Sequence, residues 1–149
     1  MSPSSPWSNL GSGNHRKFES QQPACLWAVM RSFFDHVKNH GGKPSSLFEV
    51  STACDPGERF RVLYDRLQGL HKFGRLARFD FLVLLDDAEL VDAKPDSCYL
   101  RRATGPLEGA RRLWGKRPIS ELERLAADFA KRLRISPAAL EDALCNWQK

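Results

Sequence analysis

From Pro23 to the C-terminal end the apolar residues recur at intervals of three and four, and they seldom alternate with polar ones. That period commits the chain to helices and leaves little material for a sheet. Leu26, Val29, Met30, Phe33, Phe34 and Val37 make one broad stripe, starting from Pro23, which suits a first helical turn. The HGGK stretch after it ends that helix, because glycine adopts the left-handed cap conformation cheaply. A short helix is expected from about Ser46 to Ala53. Asp55, Pro56 and Glu58 read as a helix start, with Phe60, Leu63, Tyr64 and Leu67 as the apolar face and Gly69 as the stop. The segment GRLARFDFLVLLDDAEL is greasy nearly all round and is expected to be the central buried helix. Ser120 and Glu123 form a second capping-box pattern, followed by Leu122, Leu125, Ala126, Phe129 and Leu133. Ser136 and Pro137 open a last helix with Leu140, Leu144 and Trp147 facing inward. The expected fold class is all-α: a compact bundle of six or seven short helices over residues 23–149, built on a single core. The Pro-, Ser- and Gly-rich residues 1–22 are expected to form a disordered arm.

No apolar run approaches the roughly 18 residues of a membrane span, and the first residues lack a signal-peptide core. A cytoplasmic protein is expected. Cys25, Cys54, Cys98 and Cys145 are widely spaced with no C-x-x-C pair, so buried free thiols are expected, with no metal site and no cofactor.

The formal net charge is +5. Arg101, Arg102, Arg111, Arg112, Lys116 and Arg117 stand against Glu108 alone between residues 101 and 117, and the remaining basic and acidic residues cancel. The excess is therefore focused in one short stretch, which suits nucleic acid, a phosphorylated ligand or another polyanion. Within it, Pro106 fits a first helical position with Thr104 or Gly105 as the cap, and Gly115 fits the end. Helix N-terminal amides with Arg101 and Arg102 just ahead of them resemble an anion cradle. Two simpler readings stand beside it: a surface ion pair between Glu108 and Arg112, and Gly109 serving only tight helix packing.

A second cluster lies in LHKFGRLARFDF. Asp80 falls on or near an apolar face, where a carboxylate is costly unless paired or used as a base. Arg75 and Arg78 can share a helix face, to bind phosphate or to neutralise Asp80. His71 and Lys72 occupy a turn, where a histidine suits either a proton shuttle or plain polar surface. No nucleophilic serine setting and no metal-spaced pair is present.

HKFGRLARFDFLVLL, CYLRRATGPLEGARRLWG and LEDALCNWQK together resemble the α-glutamyl/putrescinyl-thymine pyrophosphorylase family, the amino acid:DNA transferases of bacteriophage DNA hypermodification. The resemblance covers about Leu70 to Lys149, and the chain reads as a short or truncated member. It implies a DNA-glycosylase-like helical fold and location in the host-cell cytoplasm. It also implies a reaction in which an amino acid or putrescine displaces pyrophosphate from pyrophosphorylated 5-hydroxymethyluracil in DNA. The partners implied are DNA with a modified pyrimidine and an amine substrate. Asp80, His71 and Asp142 become the catalytic candidates. Lys72, Arg75, Arg78, Arg101, Arg102, Thr104, Gly105, Gly109, Arg111, Arg112 and Asn146 become the phosphate- and DNA-binding candidates. Phe79 or Trp147 would support a base drawn out of the stack. The alternatives are a non-catalytic helical nucleic-acid-binding protein and a helical module for an acidic protein partner.

Overall fold

The computed structural model describes residues 23–51 and 54–147; the proposed arm, residues 1–22, lies outside them. Six α-helices follow one another: α1 (Pro23–Asn39), α2 (Pro56–Arg66), α3 (Arg75–Asp87), α4 (Thr104–Trp114), α5 (Ile119–Leu133) and α6 (Pro137–Trp147), with no strand among the described residues. None of the helices is long and apolar enough to cross a membrane.

Several boundaries follow from local chemistry. Gly41 and Gly42 take positive φ directly after α1, as the HGGK stretch predicts. Asp55 caps α2 by accepting the Glu58 N–H at 2.9 Å, with Pro56 in the first turn. The Ser136 hydroxyl accepts the Ala139 N–H at 3.1 Å and opens α6. Elsewhere the boundaries move. Pro44–Leu47 form a short 3-10 turn and residues 48–51 are not helical, against the helix expected from Ser46 to Ala53; residues 52 and 53 lie outside the described residues. Helix α4 is capped by Ala103, so Pro106 is its third residue. Helix α5 starts at Ile119 behind Pro118, with no side-chain cap. Glu123, expected in a capping box with Ser120, instead accepts the Leu100 N–H from another part of the chain.

Burial also departs from the expected pattern, and the single expected core is divided. Phe60, Leu63, Tyr64, Leu67, Leu70, Phe79, Leu82 and Ala93 form one cluster, from α2, α3 and their flanks. Cys98, Leu100, Ala110, Leu122, Ala126, Ala130, Leu140 and Leu144 form a second, from α4, α5 and α6. Helix α3 is not greasy all round in effect: Leu84 is exposed while Arg75 and Arg78 are buried. The α1 stripe is only partly covered, since Val37 is buried but Met30 and Phe34 are exposed. Trp147 faces outward, not inward. Among the described side chains Cys54, Cys98 and Cys145 are free thiols.

The segment 98–100 joins the two cores. Cys98 and Leu100 point into the C-terminal cluster. The Tyr99 ring points the other way and meets Tyr64, Phe60 and Phe79 at centroid distances of 4.6, 5.3 and 5.8 Å. The Tyr99 backbone is left-handed, at φ 49, and its side chain enters the first cluster while its two neighbours enter the second, so three residues stitch both halves.

The tightest helix contact is α4 against α6. A Cβ on Gly109 would lie 2.0 Å from the Leu144 carbonyl oxygen, and one on Gly105 would lie 2.6 Å from the Cys145 sulfur. Glycines four apart form a groove along α4 that lets the backbone of α6 approach, as small residues do wherever helices cross closely. The packing reading of Gly109 is the one its surroundings support.

Candidate functional site

Arg75, at the first position of α3, is the centre of the site. Its Nε donates to the Tyr99 carbonyl at 2.9 Å and its Nη2 to the Cys98 carbonyl at 2.6 Å. Its Nη1 donates to Glu141 of α6 in an ion pair whose two side chains are almost fully buried. A guanidinium presents its donors in a fixed planar fork, which suits three acceptors held at set angles. Arg75 therefore faces the protein interior instead of phosphate. Arg78 does the same: its guanidinium lies 4.1 Å from the Tyr64 ring centroid and donates to the Tyr64 carbonyl at 2.9 Å.

Glu141 stood unremarked in LEDALCNWQK because its position in the helical pattern looks no different from its neighbours. Burial pushes its carboxyl above the usual range, Arg75 opposes that, and the charges of Asp80 and Asp142 push it further up. Those two candidate carboxylates thus act on the same buried pair. Asp80 is half-buried on α3 and Asp142 is exposed on α6. Asn146, one turn on, donates to the Asp142 carbonyl at 3.0 Å and to its carboxylate at 3.3 Å. Sequence reasoning proposed Arg75 as a partner for Asp80; the ion pair of Arg75 is with Glu141.

The loop held by Arg75 continues into the cationic stretch. The Ala103 N–H donates to the Leu100 carbonyl at 3.0 Å, closing a β-turn with Arg101 and Arg102 at its corners. Both arginines and Thr104 are exposed. Arg102 sits at φ 63, in the left-handed region that glycine occupies at far lower cost. Beneath the turn, Glu123 of α5 accepts the Leu100 N–H. Burial pushes this carboxyl above the usual range, and the Leu100 N–H pulls it back down. Burial likewise pushes the Cys98 thiol up to about 12, so it remains protonated and inert.

The other basic residues are placed differently. Arg111 and Arg112 lie in the last turn of α4, with Arg111 about 10 Å along the axis from Thr104 at 1.5 Å per residue. There they complement the negative end of the helix. The single cradle expected from the charge run is two separate groups. Arg112 stands 3.6 Å from Glu108, and Arg117 pairs with Glu121. Gly105 and Gly109, expected at phosphates, face α6. His71 and Lys72 are exposed in the turn before α3, where the His71 N–H donates to the Ser32 hydroxyl at 2.8 Å. Phe79 is buried and unable to meet a base, whereas Trp147 is open to solvent. An open cavity of about 500 Å³ lies between the 44–50 segment and the end of α3, and none of the candidate residues lines it.

These features define an all-α domain with an exposed arginine turn fixed to a buried arginine–carboxylate network. The chain belongs to the amino acid:DNA transferase family, whose sequence model matches residues 5–149. The match extends through the N-terminal half, where no motif had carried the resemblance. No curated protein and no solved structure matches the chain.

Proposed function

We propose that the chain joins an amine, from an amino acid or putrescine, to pyrophosphorylated 5-hydroxymethyluracil in DNA. One observation carries the reading. The guanidinium of Arg75 fixes the carbonyls ahead of the Arg101–Arg102 turn and simultaneously binds Glu141, whose charge is coupled to Asp80 and Asp142. Groups suited to phosphate and groups suited to accepting a proton are thus mounted on one rigid centre, within a chain of the transferase family.

The proposed step is a displacement at the methylene carbon of the base. The amine nitrogen forms the new C–N bond, the C–O bond to pyrophosphate breaks, and both its electrons leave with pyrophosphate. The attacking amine must be unprotonated, and Asp80 or Asp142 accepts the proton released as the bond forms. Arg101 and Arg102 contact DNA phosphates beside the target base and stabilise the negative charge growing on the leaving group. Arg111, Arg112 and Lys116, at the far end of α4, contact the DNA backbone. Lys72 extends the cationic surface from the turn before α3, and His71 beside it is a further candidate for proton transfer. Trp147 offers an aromatic face to a base drawn out of the stack.

The test is to incubate the protein with DNA containing pyrophosphorylated 5-hydroxymethyluracil and a mixture of amino acids and polyamines, then to digest it and weigh the nucleosides. A nucleoside heavier by one amine, made by the wild type and lost in Asp80→Asn with Asp142→Asn, supports the reading. DNA binding with no adduct under any amine contradicts the transferase and identifies a non-catalytic DNA-binding protein.

A further inference from the structure

We infer that Glu123 is a positioning residue, which holds the Leu100–Ala103 turn from beneath so that Arg101 and Arg102 project toward DNA phosphates. The inference rests on the DNA-binding part of the proposed function and goes beyond it by naming what fixes the turn.

Three consecutive residues of this loop are gripped from inside. Arg75 takes the carbonyls of Cys98 and Tyr99, and Glu123 takes the N–H of Leu100. The next two residues are the exposed arginines. The grip from Glu123 is an expensive choice for a connector. A carboxylate is desolvated where the backbone N–H groups of Leu100 and Arg101 face it, although a backbone N–H needs only a neutral acceptor. Directly above it, Arg102 takes a left-handed backbone. Glycine would make the same turn with less strain. Two unfavourable features converge on one turn, and both serve to present arginine side chains in a set direction. Backbone strain persists where surrounding structure over-determines it, and such places gather at functional sites.

The experiment measures affinity for a fluorescein-labelled duplex of unmodified DNA across a salt series, at a temperature where thermal melts show every variant folded. Arg101→Ala with Arg102→Ala is expected to make the log–log salt slope shallower by about 2, at about 0.9 per phosphate contact. Glu123→Ala is expected to shift the slope in the same direction. Added to the double arginine variant, it is expected to change little more, because it acts through those arginines. Glu123→Gln keeps an oxygen for the Leu100 N–H and is expected to restore wild-type binding. If the alanine variant does not fold, Glu123→Asp replaces it, since its shorter arm cannot reach that N–H but keeps the charge. Unchanged binding in Glu123→Ala or Glu123→Asp, while the arginine variant weakens, overturns the inference alone, and so does an additive loss. Unchanged binding in the arginine variant overturns the DNA-binding role of the turn, and the inference falls with it.

Discussion

Glu141 of α6 neutralises Arg75 of α3 inside the protein, and the same guanidinium binds the carbonyls of Cys98 and Tyr99. One side chain therefore ties both hydrophobic clusters to the loop that precedes α4. Removing one partner of a buried ion pair leaves the other charge desolvated, at a cost of about 3–5 kcal/mol. Glu141→Ala is expected to lose stability of that size in chemical denaturation. Replacing the pair by Arg75→Met and Glu141→Leu is expected to recover only part of it, because two buried carbonyls then lack a donor. A loss below about 1 kcal/mol for Glu141→Ala, far short of that buried-pair cost, would mean that the pair does not hold the halves together.

Gly109 lies inside α4 against the Leu144 carbonyl. In an open helix interior, glycine to alanine stabilises by about 1 kcal/mol. Here the added carbon meets backbone, which cannot rotate away, so the sign reverses. Gly109→Ala is expected to destabilise by about 3 kcal/mol, the upper range of overpacking, with a lowered Tm. A raised Tm would show that α4 and α6 do not approach as described.

The buried carboxyl of Glu123 has a raised pKa in the fold. The folded protein therefore binds a proton there more readily than the unfolded chain. This contribution to stability is fully present below the unfolded glutamate pKa and is lost as pH rises through the folded value. Glu123→Gln removes that dependence while keeping the acceptor for Leu100. Between pH 5 and pH 7 the wild type is expected to lose more Tm than the variant, or to gain less, with the variant at least equal to it at pH 7. A wild type favoured by rising pH relative to the variant would reverse the sign and exclude the assignment.

Arg102 offers a separation of stability from binding. Arg102→Gly relieves the left-handed strain, which is worth on the order of 1 kcal/mol, while unfolded-chain entropy gained with glycine offsets part of it. Folding stability is expected to hold or rise slightly. DNA affinity is expected to fall, with a salt slope shallower by about 0.9. A destabilised variant with full DNA affinity would make Arg102 a structural residue.

The helices were legible because their signals are local. Asp55 beside Pro56, and the paired glycines after α1, act within one turn of where they stand. The partners of charged residues were not legible, because they depend on contacts far apart in the chain. Glu123 has capping-box spacing from Ser120, yet it bonds to Leu100. Arg75 and Arg78 share a helix face in the sequence and suit phosphate or Asp80, yet carbonyls at positions 64, 98 and 99 draw them inside. The family resemblance rested on stretches that fall within the matched residues 5–149. It could not distinguish glycines that admit a helix from glycines that admit a phosphate.

The central claim is that DNA and an amine meet on this domain with loss of pyrophosphate. It is tested most directly by following pyrophosphate release in single-turnover conditions, with DNA carrying pyrophosphorylated 5-hydroxymethyluracil and the amine supplied together or one at a time. Release only when both are present, in an amount equal to the modified bases consumed and abolished by the paired Asp80→Asn and Asp142→Asn changes, is the expected result. Release without amine, or none from protein that demonstrably binds the DNA, would contradict it.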